Sequence, residues 1–150
     1  MDKSYFQVLS KMTEIALSGV NEAIISDPWE VEAVARSYPL MVLDPHLKSH
    51  TWQAGMMTLK VDCYIVDVVY EDETNELDVL SAMASIGIDY VNYITDNITK
   101  YGFYIRKNTN DVITFQSFTE KWDDKVAGVL FNLEIIIPDD NNQCENIFNI

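Results

Sequence analysis

His46 and His50 are the only histidines in the chain and stand four residues apart in Asp44-Pro45-His46-Leu47-Lys48-Ser49-His50. On a helical turn capped by Asp44 both imidazoles would face one side, the arrangement of a two-histidine metal site. Such a site needs a third ligand and supporting hydrogen bonds that the neighbouring sequence does not supply, so a solvated loop is the simpler reading. Ser49 and Ser117 have no spacing that ties either to a histidine base. Cys63 lies in an apolar alternating run, where a thiol is usually inert packing, and Cys144 lies in a polar tail with no CxxC companion. The acidic pairs Asp123-Asp124 and Asp139-Asp140 offer oxygen ligands for Mg²⁺ or a carboxylate dyad, yet adjacent acids in polar corners are normally solvated. GxGxxG, P-loop, GxSxG and HExxH patterns are absent from the sequence. The expectation is a protein that is not an enzyme, with no catalytic residues, no metal and no cofactor.

Charge narrows the partners. Ten Lys and Arg against 24 Asp and Glu leave a net charge of -14 over 150 residues. Binding to DNA through counterion release requires clustered cations, and here only Arg106 and Lys107 are adjacent. An anionic membrane surface is disfavoured by the same sum. No run approaches the roughly 20 apolar residues of a membrane span, and the opening MDKSYFQVLSK has no signal-peptide pattern. An unexported chain with two free thiols in a reducing compartment is expected.

The elements that must position these residues follow from periodicity. Tyr5, Val8, Leu9, Met12, Ile15, Ala16 and Gly19 recur at helical spacing and predict an amphipathic helix. Asp27-Pro28 can start a two-turn helix from Trp29 to Ser37, which Tyr38-Pro39 stops. Leu40 to Leu43 suits a short buried strand. Met57, Leu59, Val61, Cys63 and Ile65 alternate with Thr58, Lys60, Asp62 and Tyr64, a strand whose second face turns apolar only at Val66 and Val68. After an acidic connection, Asn75 is placed to cap a long helix with Leu77, Leu80, Ala84, Gly87, Ile88, Val91, Ile94 and Ile98 on one stripe and Gly102 at its end. Phe103 to Arg106 and Ile113 to Phe118 flank an Asn- and Asp-containing turn and predict a hairpin. Val129, Phe131, Leu133, Ile135 and Ile137 then form one face of a last strand that Pro138 ends. Leu59, Val61, Cys63, Leu80, Ile88, Val91, Phe131, Leu133 and Ile135 are the expected core.

This order predicts an α+β fold: one domain over residues 1–138, with helices packed on one face of a largely antiparallel or mixed sheet. Residues 139–150 form a polar C-terminal tail that ends apolar at Ile147, Phe148 and Ile150. Trp29, Trp52 and Trp122 sit in polar surroundings and, with that apolar end, are the candidate contacts to a partner subunit.

The stretch Phe118-Thr119-Glu120-Lys121-Trp122-Asp123-Asp124-Lys125-Val126-Ala127-Gly128-Val129 is followed by the strand to Pro138 and an Asn-rich segment closing on Cys144. That succession resembles the small neck and tail-completion proteins of tailed bacteriophages, crAss-like phages of gut Bacteroidota in particular. The strand from Thr58 through Asp62-Cys63-Tyr64-Ile65-Val66-Asp67, its acidic loop and the long helix from Leu77 look like the central part of the same family. The resemblance covers about two thirds of the chain, from near residue 55 onward. It implies a tail-terminator-like fold and a non-enzymatic virion subunit, made in the host cytoplasm. The partners it implies are copies of itself in a ring, other neck or tail proteins, and DNA passing through the lumen without specific binding. Within that reading Glu71, Asp72, Glu73 and Glu76 are candidate channel-facing residues, because a short strand-to-helix loop presents charge in a fixed direction. A small acidic immunity or inhibitor protein that masks a basic effector is the alternative that composition leaves open; it would be monomeric.

Overall fold

The two alternating stretches of the sequence become the centre of the sheet. In the computed structural model, which describes residues 5–26, 36–53, 55–70, 72–106, 113–121 and 125–138, β3 (Met56–Val68) pairs antiparallel with β6 (Lys125–Pro138) along its whole length, from Met56 opposite Pro138 to Val68 opposite Val126. Leu59, Val61, Cys63 and Ile65 of β3 and Val129, Phe131, Leu133, Ile135 and Ile137 of β6 are all buried on one face. Alternation at a period of two puts each set on a single side, and burying each large aliphatic or aromatic side chain contributes about 1.5–3 kcal/mol.

The remaining elements in chain order are α1 (Tyr5–Ala16), β1 (Glu22–Ile25), β2 (Leu40–Gln53), α2 (Glu76–Asp96), the single turn α3 (Ile98–Tyr101), β4 (Tyr104–Ile105) and β5 (Gln116–Lys121). The sheet has six strands in the order β1-β2-β3-β6-β4, with β5 also on β6. Only β1 with β2 is parallel, so the α+β class holds with a mixed sheet. Residues of α1 and α2 share one apolar core with the inner face of β3 and β6, which places both helices on the same side. On the other face, Leu40, Val42, Val66 and Val126 form a smaller buried cluster with Ile24, Tyr38, Tyr64 and Phe118 against it. The second face of β3 is thus apolar at Val66 as expected, while Lys60 is exposed and Val68 faces solvent.

Four expectations are corrected. First, residues 44–53 are strand, not a solvated loop or a helical turn capped by Asp44. β2 runs on through Pro45, opposite Val61, to His50, opposite Leu59, with a register shift between them. A bulge absorbs the extra residues at the proline, which has no N–H to give to the ladder. Gly55, at φ 76°, then closes the tight connection to β3. The parallel strand β1 has no counterpart in the sequence reading, because Glu22–Ile25 is too short to show a period. The expected two-turn helix from Trp29 lies almost wholly outside the described residues.

Second, the segments read as a hairpin do not pair with each other. β5 pairs with the first half of β6, from Gln116 opposite Leu130 to Lys121 opposite Lys125, and β4 pairs with Ile135 and Ile136 near its far end. The hairpin partner of β5 is β6, reached across three residues, and short closure has the smaller entropic cost.

Third, the buried stripe of α2 is rotated by roughly 60° from the expected one. Val79, Met83, Gly87, Tyr90, Val91 and Ile94 are buried, whereas Leu77 is 78% exposed and Ile88 48% exposed, and Leu80 is only half-buried. Gly87 explains part of the rotation. A Cβ there would stand 2.7 Å from the ring of Phe115, which packs on Phe131 with centroids 4.7 Å apart. The helix therefore turns its smallest residue toward the aromatic pair. It also stops at Asp96, before the single turn α3; Gly102, at φ 76°, ends that turn instead.

Fourth, Asn75 does occupy the N-cap position of α2, but its side chain makes no cap hydrogen bond. Its amide is engaged backward, on the loop.

Candidate functional site

The acidic connection between β3 and α2 is braced by its own side chains. Tyr70 N–H donates to Asn75 Oδ1 at 2.8 Å, and Asn75 Nδ2 donates to the Val68 carbonyl at 3.3 Å, so one amide ties the end of the strand to the start of the helix. Asp72 Oδ1 accepts from both the main-chain N–H and the hydroxyl of Thr74, at 3.2 and 3.0 Å. This is the local turn chemistry for which Asp and Asn are suited. Glu73 N–H donates to the Tyr70 carbonyl at 2.8 Å, and Glu76 N–H donates to the Glu73 carbonyl at 3.2 Å. Glu73 adopts φ 62°, a left-handed conformation that glycine, with no Cβ, would take more readily.

Charge is distributed unevenly along this loop. Glu73 is ion-paired with Lys125 at the start of β6, and the ammonium holds its carboxyl below its ordinary value of 4.5. Val69 N–H donates to the Lys125 carbonyl at 2.8 Å, so the same residue anchors the loop through its backbone. Asp72 is exposed and Glu76 half-buried. Of the candidate channel-facing acids, Asp72 and Glu76 have no basic side chain ion-paired with them among the described residues, Glu73 is largely offset, and Glu71 lies outside the described residues. Tyr70, 62% exposed, and Leu77 flank the acids and give this end of the molecule an apolar rim.

Of the candidate contact residues, Trp52 is described. It is 66% exposed near the β2–β3 turn, opposite Met57. Trp29, Trp122, Ile147, Phe148 and Ile150 lie outside the described residues, as do the pairs Asp123-Asp124 and Asp139-Asp140. Cys63 is fully buried and its thiol is pushed well up, chiefly by burial and then by Asp62. Among the described residues no three His, Cys, Asp or Glu side chains converge as metal ligands. Among them, too, no helix is long and apolar enough to cross a membrane.

A groove that the sequence does not disclose lies between the end of α1 and the middle of α2. It has a volume of about 300 Å³ and is lined by Ile15, Ala16, Met41, Ile86 and Tyr90, with Asp89 and Tyr93 exposed beside them. Tyr93 leads from this groove to a basic and aromatic cluster. Its hydroxyl lies 2.9 Å from that of Tyr101, and the ammonium groups of Lys100 and Lys11 stand 5.3 and 5.8 Å from the centre of the Tyr101 ring. Two of the ten cationic residues thus converge on one aromatic ring, within reach of cation–π attraction. The only sequence signal is the small Ser18-Gly19 pair after α1.

No protein-family model matches the chain, and no curated protein matches it.

Proposed function

We propose that this chain is a structural subunit of a tailed-phage virion that assembles with copies of itself into a ring of the neck or tail, around a bore through which the genome passes. The observation that carries the reading is the braced acidic loop between β3 and α2. Asn75 and the Glu73–Lys125 contact hold the loop against the sheet, and Asp72 and Glu76 remain to repel phosphate. Resemblance to neck and tail-completion proteins supports the same reading from the order of the C-terminal motifs. A head-to-tail ring needs two different patches per subunit, with closure set by the rotation between them. Exposed Trp52 at one end and Tyr70 and Leu77 beside the acidic loop are suited to such contacts.

Light scattering and negative-stain microscopy of the purified chain test the proposal. Annuli are the expected result. A monomer that captures a basic protein, with no annuli at any concentration, is the outcome of an inhibitor and ends the ring reading. In particles, Glu76→Lys is expected to leave assembly intact and slow genome passage, since lysine there binds phosphate. A particle reconstruction with the β3–α2 loop on the outer rim refutes the channel assignment.

A further inference from the structure

We infer that the groove between α1 and α2 receives the C-terminal segment of a second copy of this chain, with Ile147, Phe148 and Ile150 entering the groove and the preceding acids meeting Lys100. The inference rests on the assembly reading above and names the contact through which neighbouring subunits join.

Two complementarities support it. The groove is apolar beneath Ile86 and Met41, and Asp89, the one acid among its described lining residues, offers a carboxylate that can accept from an incoming main-chain N–H but repels acids. At one end, through Tyr93, it adjoins Lys100 and Lys11, which converge on Tyr101; Lys11 is also ion-paired with Glu14 at 2.9 Å, so Lys100 carries the main attraction for an incoming acid. An occupant that fits both parts carries acids at one end and bulky apolar groups at the other. Residues 139–150 read Asp-Asp-Asn-Asn-Gln-Cys-Glu-Asn-Ile-Phe-Asn-Ile, which has that order. In a chain of net charge -14 an acidic segment meets repulsion over most of the surface, so the Lys100 end of the groove is where its acids are best accommodated.

Reach favours a neighbour over the chain's own tail. Met41, which lines the groove, is in register with Ile65, and Ile65 with Val129. Val129 lies nine residues before Pro138 on β6, about 30 Å along the strand. Ile147 lies nine residues after Pro138 and reaches about 32 Å only when fully extended, before the path rises over the helices. The same segment from an adjacent subunit is free of that constraint.

Full-length protein provides the test. Cys144 takes a nitroxide label selectively, because Cys63 is buried with little thiolate at neutral pH. This labelled chain is mixed, in about threefold excess before assembly, with a second preparation that carries Cys144→Ser and ¹³C-methyl methionine. The expected result is loss of more than half the Met41 methyl signal in the mixture, largely restored by Phe148→Ser in the nitroxide chain or by Lys100→Glu in the observed chain. An undisturbed Met41 signal, or broadening only when label and methyl share a chain, overturns the inference. Light scattering on the same samples separates the two readings. Assembly with Met41 undisturbed refutes the groove contact alone, and a persistent monomer refutes the ring as well.

Discussion

Tyr90 in the middle of α2 donates its hydroxyl hydrogen to the Met12 carbonyl of α1 at 2.9 Å, a buried bond between residues 78 positions apart. It is a directional contact between the two helices, and it fixes how far α1 slides along α2. That setting determines the width of the groove beyond it, where Gly19 comes near Ile86.

Tyr90→Phe is therefore expected to lower stability by about 1 kcal/mol in a urea titration. The Met12 carbonyl faces the main-chain N–H one helical turn on and is not orphaned, so the larger penalty of an unsatisfied buried acceptor does not apply. A loss above about 3 kcal/mol would show that the hydroxyl does more than tie the helices.

Leu133→Ala and Ile88→Ala separate the core from the discarded stripe. Leu133 is buried at the centre of β6 and its truncation should cost about 2–5 kcal/mol. Ile88, half exposed, should cost within about 0.5 kcal/mol. Equal losses in chemical denaturation would contradict the rotation of α2.

Two glycines should respond in opposite ways. A Cβ on Gly128 would run into the Ile65 carbonyl and stand 2.9 Å from Val66 Cα, both main-chain atoms that cannot yield without parting β3 from β6. Gly128→Ala should cost more than about 3 kcal/mol or prevent folding. At Gly19 the nearest atom is a methyl of Ile86 at 3.7 Å, an ordinary contact, so Gly19→Ala should change stability by less than about 1 kcal/mol. Thermal melts of the two variants provide the comparison.

Contact with Lys125 keeps Glu73 ionised to lower pH in the folded chain than in the unfolded one, where its ordinary value is 4.5. Stabilisation from the pair is thus present above that value and is lost as pH falls through the depressed folded value. Glu73→Gln keeps the side-chain shape and the left-handed backbone. Its denaturation midpoint should lie below that of the parent at pH 7, and the two should converge as the pH falls below the depressed folded value. A gap that persists in acid would assign the difference to hydrogen bonding and not to charge.

Much of this architecture is legible in the sequence because it depends on local periods. The alternation in 57–65 and 129–137 settles which faces of β3 and β6 are buried, and the spacing from Val8 to Ala16 does the same for α1. The long helix, the acidic connection before it and the α+β class follow from the same patterns.

Choices between locally equivalent arrangements belong to the tertiary structure. α2 carries apolar residues around more than one side, so its own sequence tolerates either Leu77 and Ile88 or Val79, Met83 and Tyr90 facing inward. Contact with Phe115 and with Met12 decides between them. Asn75 can serve a helix cap or a loop clamp with the same amide, and the proximity of Val68 and Tyr70 selects the clamp. Pairing partners are likewise invisible along the chain: β4 and β5 are plausible mates until β6, long enough to accept both, offers each a better edge. The groove beside Tyr90 and the meeting of Lys11 with Lys100 over Tyr101 join residues some 70 to 90 positions apart. Periodicity records which way a side chain points along its own element, whereas such a meeting depends on how two elements pack, a free energy shared among many residues and written in none of them singly.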